Sequence, residues 1–198
     1  MTLFYEIVFL LLTYFWGSIP VGYLLIKFYT GKNILKMGSG NIGSTNVRRV
    51  SGNKLSVITQ LLDMLKGFLP VVLFLVLKPL VSTPYYVFML ALAAILGHDF
   101  SLFLKLNGGK GVNTTMGASV LLAPYSVFIA VIFYFIVKWR FKYVSLGSMV
   151  IAFTIPLIEI IWYGPNPTFY YLLICSFLIV ILHHGNIIRL IKGKELDS

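Results

Sequence analysis

The chain has 198 residues, of which 59% are hydrophobic, 16% aromatic and only 11% charged. A water-soluble domain carries about a quarter charged residues, so this composition cannot cover a soluble surface of that size. It indicates a membrane protein and excludes an intrinsically disordered chain and a collagen-like fibre. The single cysteine, Cys175, also excludes a small module held together by internal disulfides.

The charge balance is strongly basic, with 16 Lys and Arg against 6 Asp and Glu and a formal net charge of +10. In a membrane protein, such an excess is typical of cytoplasmic loops that lie beside anionic lipid. An anionic substrate is the second interpretation of the same excess. We expect no nucleic-acid partner.

The first predicted element is a membrane helix over residues 7–26, whose length of about 20 uncharged residues suffices to cross ~30 Å of hydrocarbon. A signal peptide is disfavoured because no basic residue precedes this run, and Glu6 is the first charged residue. We expect Gly17, Pro20 and Gly22 to interrupt the helix without ending it.

Further spans are predicted at residues 55–77, 85–104, 145–163 and 168–182, the last of which is short and needs the segment after it. Residues 112–137 admit two interpretations. A single crossing would place the basic residues near position 140 and those near position 190 outside. A break at Pro124, giving two short helices of about 13 residues each, would leave only Lys78 outside.

The positive-inside rule favours the break at Pro124. We therefore predict an all-α, polytopic integral membrane protein with seven transmembrane helices, two of them short. The N-terminus is expected outside and the C-terminus in the cytoplasm. No repeat or linker divides the sequence, so we expect a single domain over residues 1–198.

The segment GSGNIGSTNVRR at residues 38–49 is dense in glycine, hydroxyl and amide groups. Glycines let successive backbone N–H groups converge on an anion, and Ser, Thr and Asn add neutral donors. Arg49 can then supply a bidentate charge to a phosphate. The alternative is an ordinary solvated cytoplasmic loop.

A second glycine-rich segment, NGGKG, occupies residues 107–111. It is not a Walker A motif, because no Gly lies five residues before Gly109 and because Gly111, rather than Ser or Thr, follows Lys110. ATP is therefore not implied. A glycine turn that opens a helix at Val112 can still direct N–H groups at a phosphate. The alternative is a basic turn beside the membrane.

Two polar pairs stand out inside or beside the apolar spans. Asp63 and Lys66 lie three residues apart, hence on one helix face, and should point into the bundle as a structural pair or as part of a site. His183 and Asn186 share a helical face, whereas His184 points elsewhere. From spacing alone, a histidine at the membrane interface is more often a surface residue than a catalyst.

Several catalytic signatures are missing from the sequence. His98 and Asp99 are adjacent, and no His is followed by Asp five positions later, so the His-x4-Asp motif of acyl-CoA-dependent glycerophosphate acyltransferases is absent. The Asp-x2-Asp-Gly pattern of CDP-alcohol phosphatidyltransferases is absent as well. With six scattered carboxylates, we expect neither a metal site nor a cofactor.

These segments together resemble the PlsY-type acyl-phosphate:glycerol-3-phosphate acyltransferases of bacterial membranes, over nearly the whole chain. The matching residues are Gly17-Ser18-Ile19-Pro20, GSGNIGSTNVRR at 38–49, Asp63-x-x-Lys66-Gly67 with Pro70, Gly97-His98, GGKG at 108–111, Tyr143-Val144-Ser145-Leu146 and His183-x-x-Asn186-Ile187. The seven-helix fold of that family agrees with the topology predicted from charge.

The resemblance implies transfer of a fatty acyl group from acyl phosphate to the 1-hydroxyl of glycerol 3-phosphate, with the departing phosphate as proton acceptor. It implies catalytic roles for Ser39, Arg49, Lys110, His183 and Asn186. It implies substrate binding by Gly38, Gly40, Asn41, Thr45, Asn46, Gly108, Gly109, Gly111 and Ser145. Asp63, Lys66 and His98 are further candidates.

The same resemblance implies a multi-pass protein of the bacterial inner (cytoplasmic) membrane, with its site facing the cytoplasm. It also implies membrane lipid as surroundings and a functional link to the enzyme that forms acyl phosphate. In the last motif Gly185 replaces the usual acidic residue, so no role for an acid carries over. A transporter of a phosphorylated lipid or metabolite, or a structural membrane protein, remains the alternative.

Overall fold

The structure, a computed structural model, describes residues 2–77 and 81–196, and these residues form helices and turns without a strand. The predicted all-α class is confirmed over this part of the chain. Lys78, the cation predicted to lie outside, is not among the described residues. The chain divides into two compact units, Met1–Leu121 and Leu122–Ser198. The single domain expected over residues 1–198 stays a prediction.

Among its described residues, the first unit contains six α-helices: α1 (Thr2–Ser18), α2 (Val21–Thr30), α3 (Ser44–Ser51), α4 (Asn53–Leu77), α5 (Tyr86–Asp99) and α6 (Val112–Ser119). Short 3-10 turns occupy Ile34–Lys36 and Leu102–Leu104. Helix α1 packs against α5, and α4 packs against α6.

The first predicted helix is divided in two. Its apolar run, Leu3–Thr30, is a candidate membrane span, but Ile19 and Pro20 are not helical. Proline lacks the N–H that would continue the helical hydrogen bonds, so the helix breaks where we expected only an interruption. The carbonyl of Ile19 lies in this break, where it accepts hydrogen bonds from the N–H of Val21 at 3.0 Å and from the ammonium of Lys66 on α4. An apolar medium offers no water for this carbonyl, so a buried side chain satisfies it.

Reciprocal glycines bring two pairs of helices into close contact. A Cβ at Gly17 of α1 would collide with the carbonyl of Ala94, and a Cβ at Gly97 of α5 would collide with that of Tyr14. Gly67 of α4 and Gly117 of α6 face each other's helices in the same way. Small residues let backbones approach where lipid provides no hydrophobic driving force between helices.

A buried carboxylate fastens the start of α1 to the turn before α5. Glu6 accepts hydrogen bonds from the backbone N–H of Ser82 at 2.5 Å and its hydroxyl at 2.9 Å, and from the hydroxyl of Thr83. The hydroxyl of Tyr86 donates to the Glu6 carbonyl at 2.6 Å. The donors of Ser82 and Thr83 replace the hydrogen bonds to water that the Glu6 carboxylate loses on burial.

Up to residue 196, where the described part of the chain ends, the second unit contains four α-helices: α7 (Pro124–Phe141), α8 (Val144–Tyr163), α9 (Pro167–Leu182) and α10 (His184–Ile191). Proline opens α7 and α9, where its missing N–H costs nothing, and the Asn166 side chain caps α9 by accepting from the N–H of Phe169 at 2.9 Å. Glu159 is held by Ser126 at 2.7 Å.

The predicted break at Pro124 is present, but the two helices beside it are not equal. Helix α6 has 8 residues and α7 has 18, rather than about 13 each. The turn at residues 120–123 comes earlier than expected, and α7 continues through Lys138 to Phe141. Long basic side chains can extend to the membrane surface from an apolar helix, so Lys138 need not end it.

Five segments are long and apolar enough to cross a membrane within the described residues: Leu3–Thr30, Asn53–Leu77, Tyr86–Leu104, Pro124–Phe141 and Val144–Tyr163. A sixth is added if α9 and α10, which meet at a bend of 58°, count as one span. The short span predicted at 168–182 is thus followed by a bent helix rather than extended in line.

The close approach of α4 and α6 predicts that Gly117→Val destabilises the protein. The new Cβ would collide with the backbone carbonyl of Met64, which cannot rotate away. We expect a loss of about 1–3 kcal/mol in the free energy of unfolding, the usual cost of overpacking. Thermal unfolding of the purified protein in detergent measures it.

The matched control is Gly185→Ala in α10, where the nearest atom to the new Cβ would be a guanidinium nitrogen of Arg189 at 3.6 Å. Alanine favours a helix more than glycine does, so this variant should be at least as stable as the wild type. Equal unfolding temperatures for Gly117→Val and the wild type would contradict the contact.

Candidate functional site

In the first unit, the glycine-rich loop at residues 38–43 folds around the buried side chain of Asn46. Its Oδ1 accepts from the N–H of Ser39 at 2.9 Å, and its Nδ2 donates to the carbonyls of Met37 at 3.0 Å and Asn41 at 2.8 Å. Gly38 has a φ of +56° and a Cβ there would collide with the Asn46 Oδ1, so the loop needs glycine. Asn46 therefore holds the loop in shape.

This loop contacts the second glycine-rich segment, far away in the sequence. Asn41 accepts from the N–H of Gly43 at 2.8 Å and donates through Nδ2 to the carbonyl of Gly108 at 3.3 Å. Asn113, at the start of α6, donates to the hydroxyl of Ser44 at 3.2 Å. The structure thus brings together the two segments in which we predicted phosphate ligands.

The glycine turn at residues 108–111 rests on the C-terminal end of α5. The N–H of Gly108 donates to the carbonyl of Asp99 at 3.1 Å, and that of Gly109 to the carbonyl of His98 at 2.9 Å. Carbonyls at a helix end lack partners within the helix, and the turn supplies them. A Cβ at Gly108 would collide with these carbonyls and one at Gly109 with the His98 ring, so side chains are excluded.

Beneath the turn lies a buried charged cluster. The Lys66 ammonium is 3.0 Å from Oδ1 of Asp63, and Nδ1 of His98 is 3.5 Å from the same oxygen. Lys66 also donates to the Ile19 carbonyl, and the other edge of the His98 ring lies against Gly109. The predicted Asp63–Lys66 pair therefore faces the protein interior, where it supports both the helix break and the glycine turn.

One residue of this region was missed by the sequence reasoning. Asp99 is 2% exposed, and its carboxylate lies against Gly111, at the start of α6. Neither carboxylate oxygen accepts a hydrogen bond from the described residues. The available signal was its position inside the predicted span 85–104, because an ionisable residue within a membrane span is unusual.

The remaining candidates of the first unit border these two segments. Arg49 lies in the last turn of α3, and Lys110 lies within the glycine turn, and both are half-buried. Thr45, in the first turn of α3, is half-buried, whereas Ser39 is exposed on the loop beside Gly40. Two cations, a hydroxyl and backbone N–H groups are suitable ligands for a phosphate.

In the second unit, Ser145 and His183 are buried. Ser145 lies in the first turn of α8, and its hydroxyl oxygen has no hydrogen-bond partner among the described residues. His183 stands at the bend between α9 and α10, with Nδ1 2.8 Å from the carbonyl of Ile179. A carbonyl only accepts, so Nδ1 carries the proton and Nε2 is the nitrogen that can accept one.

Asn186 on α10 is buried, whereas His184 is exposed, in agreement with the predicted shared face of His183 and Asn186. The Nδ2 of Asn186 donates to Glu195 at 2.6 Å. Glu195 is the second residue that the sequence reasoning missed. It lies beyond the last predicted motif, and no pattern in the sequence links it to Asn186.

The described residues contain no group of three or more His, Cys, Asp and Glu side chains placed to hold a metal ion. The cations Arg49 and Lys110 border the two glycine segments. With the neighbouring hydroxyls and backbone N–H groups, they favour an anionic ligand.

Comparison with known proteins reveals close relatives. The chain is 42% identical over 193 residues to a glycerol-3-phosphate acyltransferase of Clostridium acetobutylicum, covering 96% of this chain and 98% of that protein. It is also 42% identical over 186 residues to a glycerol-3-phosphate acyltransferase of Ehrlichia canis, covering 94% and 95%.

Two solved structures are similar over the whole chain. They are crystal structures of PlsY, an integral membrane glycerol 3-phosphate acyltransferase, in its glycerol 3-phosphate form and its lysophosphatidic acid form. The first has a TM-score of 0.90 at 30% identity and covers 98% of this chain and 95% of that chain. The second has a TM-score of 0.86 at 29% identity and covers 97% and 94%.

The family model for glycerol-3-phosphate acyltransferase matches residues 7–193. This match includes every motif on which the resemblance was based. The chain is therefore a PlsY-type member of the glycerol-3-phosphate acyltransferase family and an acyltransferase.

Proposed function

We propose that this acyltransferase takes its acyl group from acyl phosphate and transfers it to the 1-hydroxyl of glycerol 3-phosphate. The products are 1-acylglycerol 3-phosphate (lysophosphatidic acid) and inorganic phosphate. One observation carries the proposal, which is the hydrogen bond from Asn41 to Gly108. It connects the first glycine-rich loop, which is followed by Arg49, with the glycine turn that contains Lys110. Two phosphate-binding segments in contact suit a reaction in which both substrates are phosphorylated.

Electrostatics supports this assignment. Both substrates are anions that repel each other, and fixed cations and N–H groups offset that repulsion without reorganising during the reaction. Arg49 and Lys110 supply the charge, while the backbone and side chains of the loop and turn supply neutral donors. In this proposal the donors are Gly38, Ser39, Gly40, Asn41, Thr45, Gly108, Gly109 and Gly111, and Asn46 keeps the loop in its binding shape.

The chemical step requires little beyond alignment. The hydroxyl oxygen of glycerol 3-phosphate attacks the acyl carbonyl carbon, the bond from that carbon to the phosphate oxygen breaks, and the departing phosphate takes the hydroxyl proton. Acyl phosphate already has an activated carbonyl and a good leaving group, so positioning supplies much of the acceleration. Ser145, His183 and Asn186 contribute to the same reaction, with Nε2 of His183 as a proton-accepting assistant.

The buried cluster of Asp63, Lys66 and His98 acts indirectly in this proposal. Its contacts hold the ring of His98 against Gly109, next to Lys110 in the sequence. A fixed turn keeps the ammonium of Lys110 at a set distance from the phosphate. The cluster therefore supports binding rather than reacting itself.

We further propose that the chain is one domain with seven membrane helices, which are the five candidate spans, the bent pair of α9 and α10 counted as one span, and the short α6. Its N-terminus lies outside and its C-terminus in the cytoplasm. The positive-inside rule then places the reaction on the cytoplasmic face of the bacterial inner membrane. Acyl phosphate is reactive, which favours a functional link to the enzyme that forms it.

The donor is tested with purified protein, glycerol 3-phosphate and three separate donors: acyl phosphate, acyl-CoA and acyl carrier protein carrying an acyl group. We expect turnover with acyl phosphate alone, without ATP, because the leaving group is already on the donor. EDTA should leave the rate unchanged. Turnover with acyl-CoA but not with acyl phosphate, or loss of activity in EDTA with recovery in magnesium, would contradict the mechanism.

The phosphate ligands are tested by Lys110→Ala and Arg49→Ala. Loss of a charge-assisted hydrogen bond costs about 1.5–3 kcal/mol, so kcat/KM should fall at least roughly tenfold in each variant. The matched control is Lys32→Ala, which removes the same charge from an exposed position of the same unit and should change kcat/KM little. Equal losses in all three variants would point to net charge instead.

The topology is tested in a background that lacks Cys175. Cysteines introduced at Arg140 and Lys192, which are both exposed, should react with a membrane-impermeant thiol reagent only from the cytoplasmic side. We expect labelling from this side because both positions lie in segments with an excess of Lys and Arg. Labelling of position 140 from outside would show that the basic end of α7 lies outside the cell.

A further inference from the structure

The last described residues fold back along α10. Gly193 has a φ of +62°, its N–H donates to the carbonyl of Leu190 at 3.1 Å, and the N–H of Lys194 donates to that of Arg189 at 2.8 Å. This pair of hydrogen bonds around a left-handed glycine is a Schellman motif. It ends the helix and returns the chain towards it, which brings Glu195 beside Asn186, nine positions earlier.

Glu195 is buried by this reversal, with its side chain 2% exposed. Oε1 accepts a hydrogen bond from Nδ2 of Asn186 at 2.6 Å, and Oε2 accepts from Nε of Arg189 at 3.0 Å. Asn186 and Arg189 lie three positions apart and so share one face of α10. The guanidinium balances the buried charge, which leaves the other oxygen for the amide.

The contact fixes the orientation of the Asn186 amide. An ionised carboxylate can only accept hydrogen bonds, so the NH₂ group of Asn186, and not its oxygen, must face Glu195. Without Glu195, a rotation of the amide by about 180° would exchange the donor and the acceptor with little change in shape. The carbonyl oxygen Oδ1 is thereby kept on the other edge of the amide.

We propose that Glu195 is a positioning residue for acyl transfer, which holds the amide of Asn186 in the one orientation that the reaction uses. This inference rests on the proposed function. Glu195 lies outside residues 7–193, the part matched by the family model, so the family pattern does not assign it a role. Glu195 acts through Asn186 and does not touch the substrate.

The first test compares kcat and KM for glycerol 3-phosphate in Glu195→Gln, Glu195→Ala and the wild type. Glu195→Gln keeps the size of the side chain but has one oxygen for two donors, so it cannot satisfy Asn186 and Arg189 together. A residue that orients a catalytic amide for the transition state affects kcat more than KM, and we expect kcat to fall about tenfold with KM changed less than about threefold.

The neighbouring Lys194→Ala is the matched control, because its side chain is exposed and its backbone hydrogen bond is retained. It should keep the wild-type kcat. Thermal unfolding of all variants separates a loss of position from a loss of stability, and we expect Glu195→Gln to remain fully folded at the temperature of the assay.

The second test removes Glu195 in a background that already carries Asn186→Ala. If Glu195 acts only through the Asn186 amide, Glu195→Ala should lower the residual kcat by less than about twofold there, because the two losses are not additive. Equal fold losses in the two backgrounds would overturn the proposal, as would a wild-type kcat in Glu195→Gln.

The donor for these measurements is whichever of acyl phosphate, acyl-CoA and acyl carrier protein supports turnover by the wild type. Failure of acyl phosphate as donor would thus refute the proposed function, whereas the ratios between variant and wild type bear on Glu195 alone. The two proposals can therefore fail separately.

Discussion

The ion pair between Asp63 and Lys66 is the interaction on which the rest of the first unit depends. In an apolar medium, a buried charge is tolerated when the protein itself supplies its partners. Lys66 is paired with Asp63 and donates to the carbonyl of Ile19, which lies in the helix break before Pro20. The charged pair and the helix break are therefore complementary, and each supplies what the other lacks.

The need to satisfy buried polar groups extends from this pair to the glycine turn. His98 stands between Asp63 and Gly109, and the carbonyls at the end of α5 are satisfied by the N–H groups of Gly108 and Gly109. Backbone groups at a helix end need partners wherever water is scarce. By providing them, the turn becomes rigid and places Lys110 at its rim. The residues that satisfy the end of α5 are thus the same residues to which we assign phosphate binding in the proposed function.

The second unit also buries a charged side chain, near its C-terminal end. A carboxylate that belongs to no sequence motif is buried against α10 and is paired there with a guanidinium and an amide. Separating this carboxylate from its partners would leave a buried charge unpaired, which costs free energy, so the contact stays formed. An amide beside it has one orientation available. A residue outside a family pattern can thereby set the geometry of one inside it.

The sequence by itself determined the all-α membrane class, the positions of the main apolar helices and the break near Pro124. Those features depend on local composition, on proline geometry and on the length of an apolar run. It also pointed to both glycine-rich segments and to Asp63 and Lys66, because charges and glycines are unusual inside or beside membrane helices. The unequal lengths of α6 and α7 were not predictable from the apolar run alone, because α7 continues past Lys138 to Phe141.

Only the tertiary structure decided which polar groups meet. Asn41 reaches Gly108 across 67 positions, and the amide of Asn46 is used within its own loop rather than left for a ligand. The contacts of Asp99 and Glu195 were likewise invisible in the sequence. Hydrogen bonds between distant segments depend on how the chain turns back on itself, and spacing along one helix carries no information about that. The composition therefore determined that this is a membrane protein, and the tertiary structure determined which groups pair with its charged side chains.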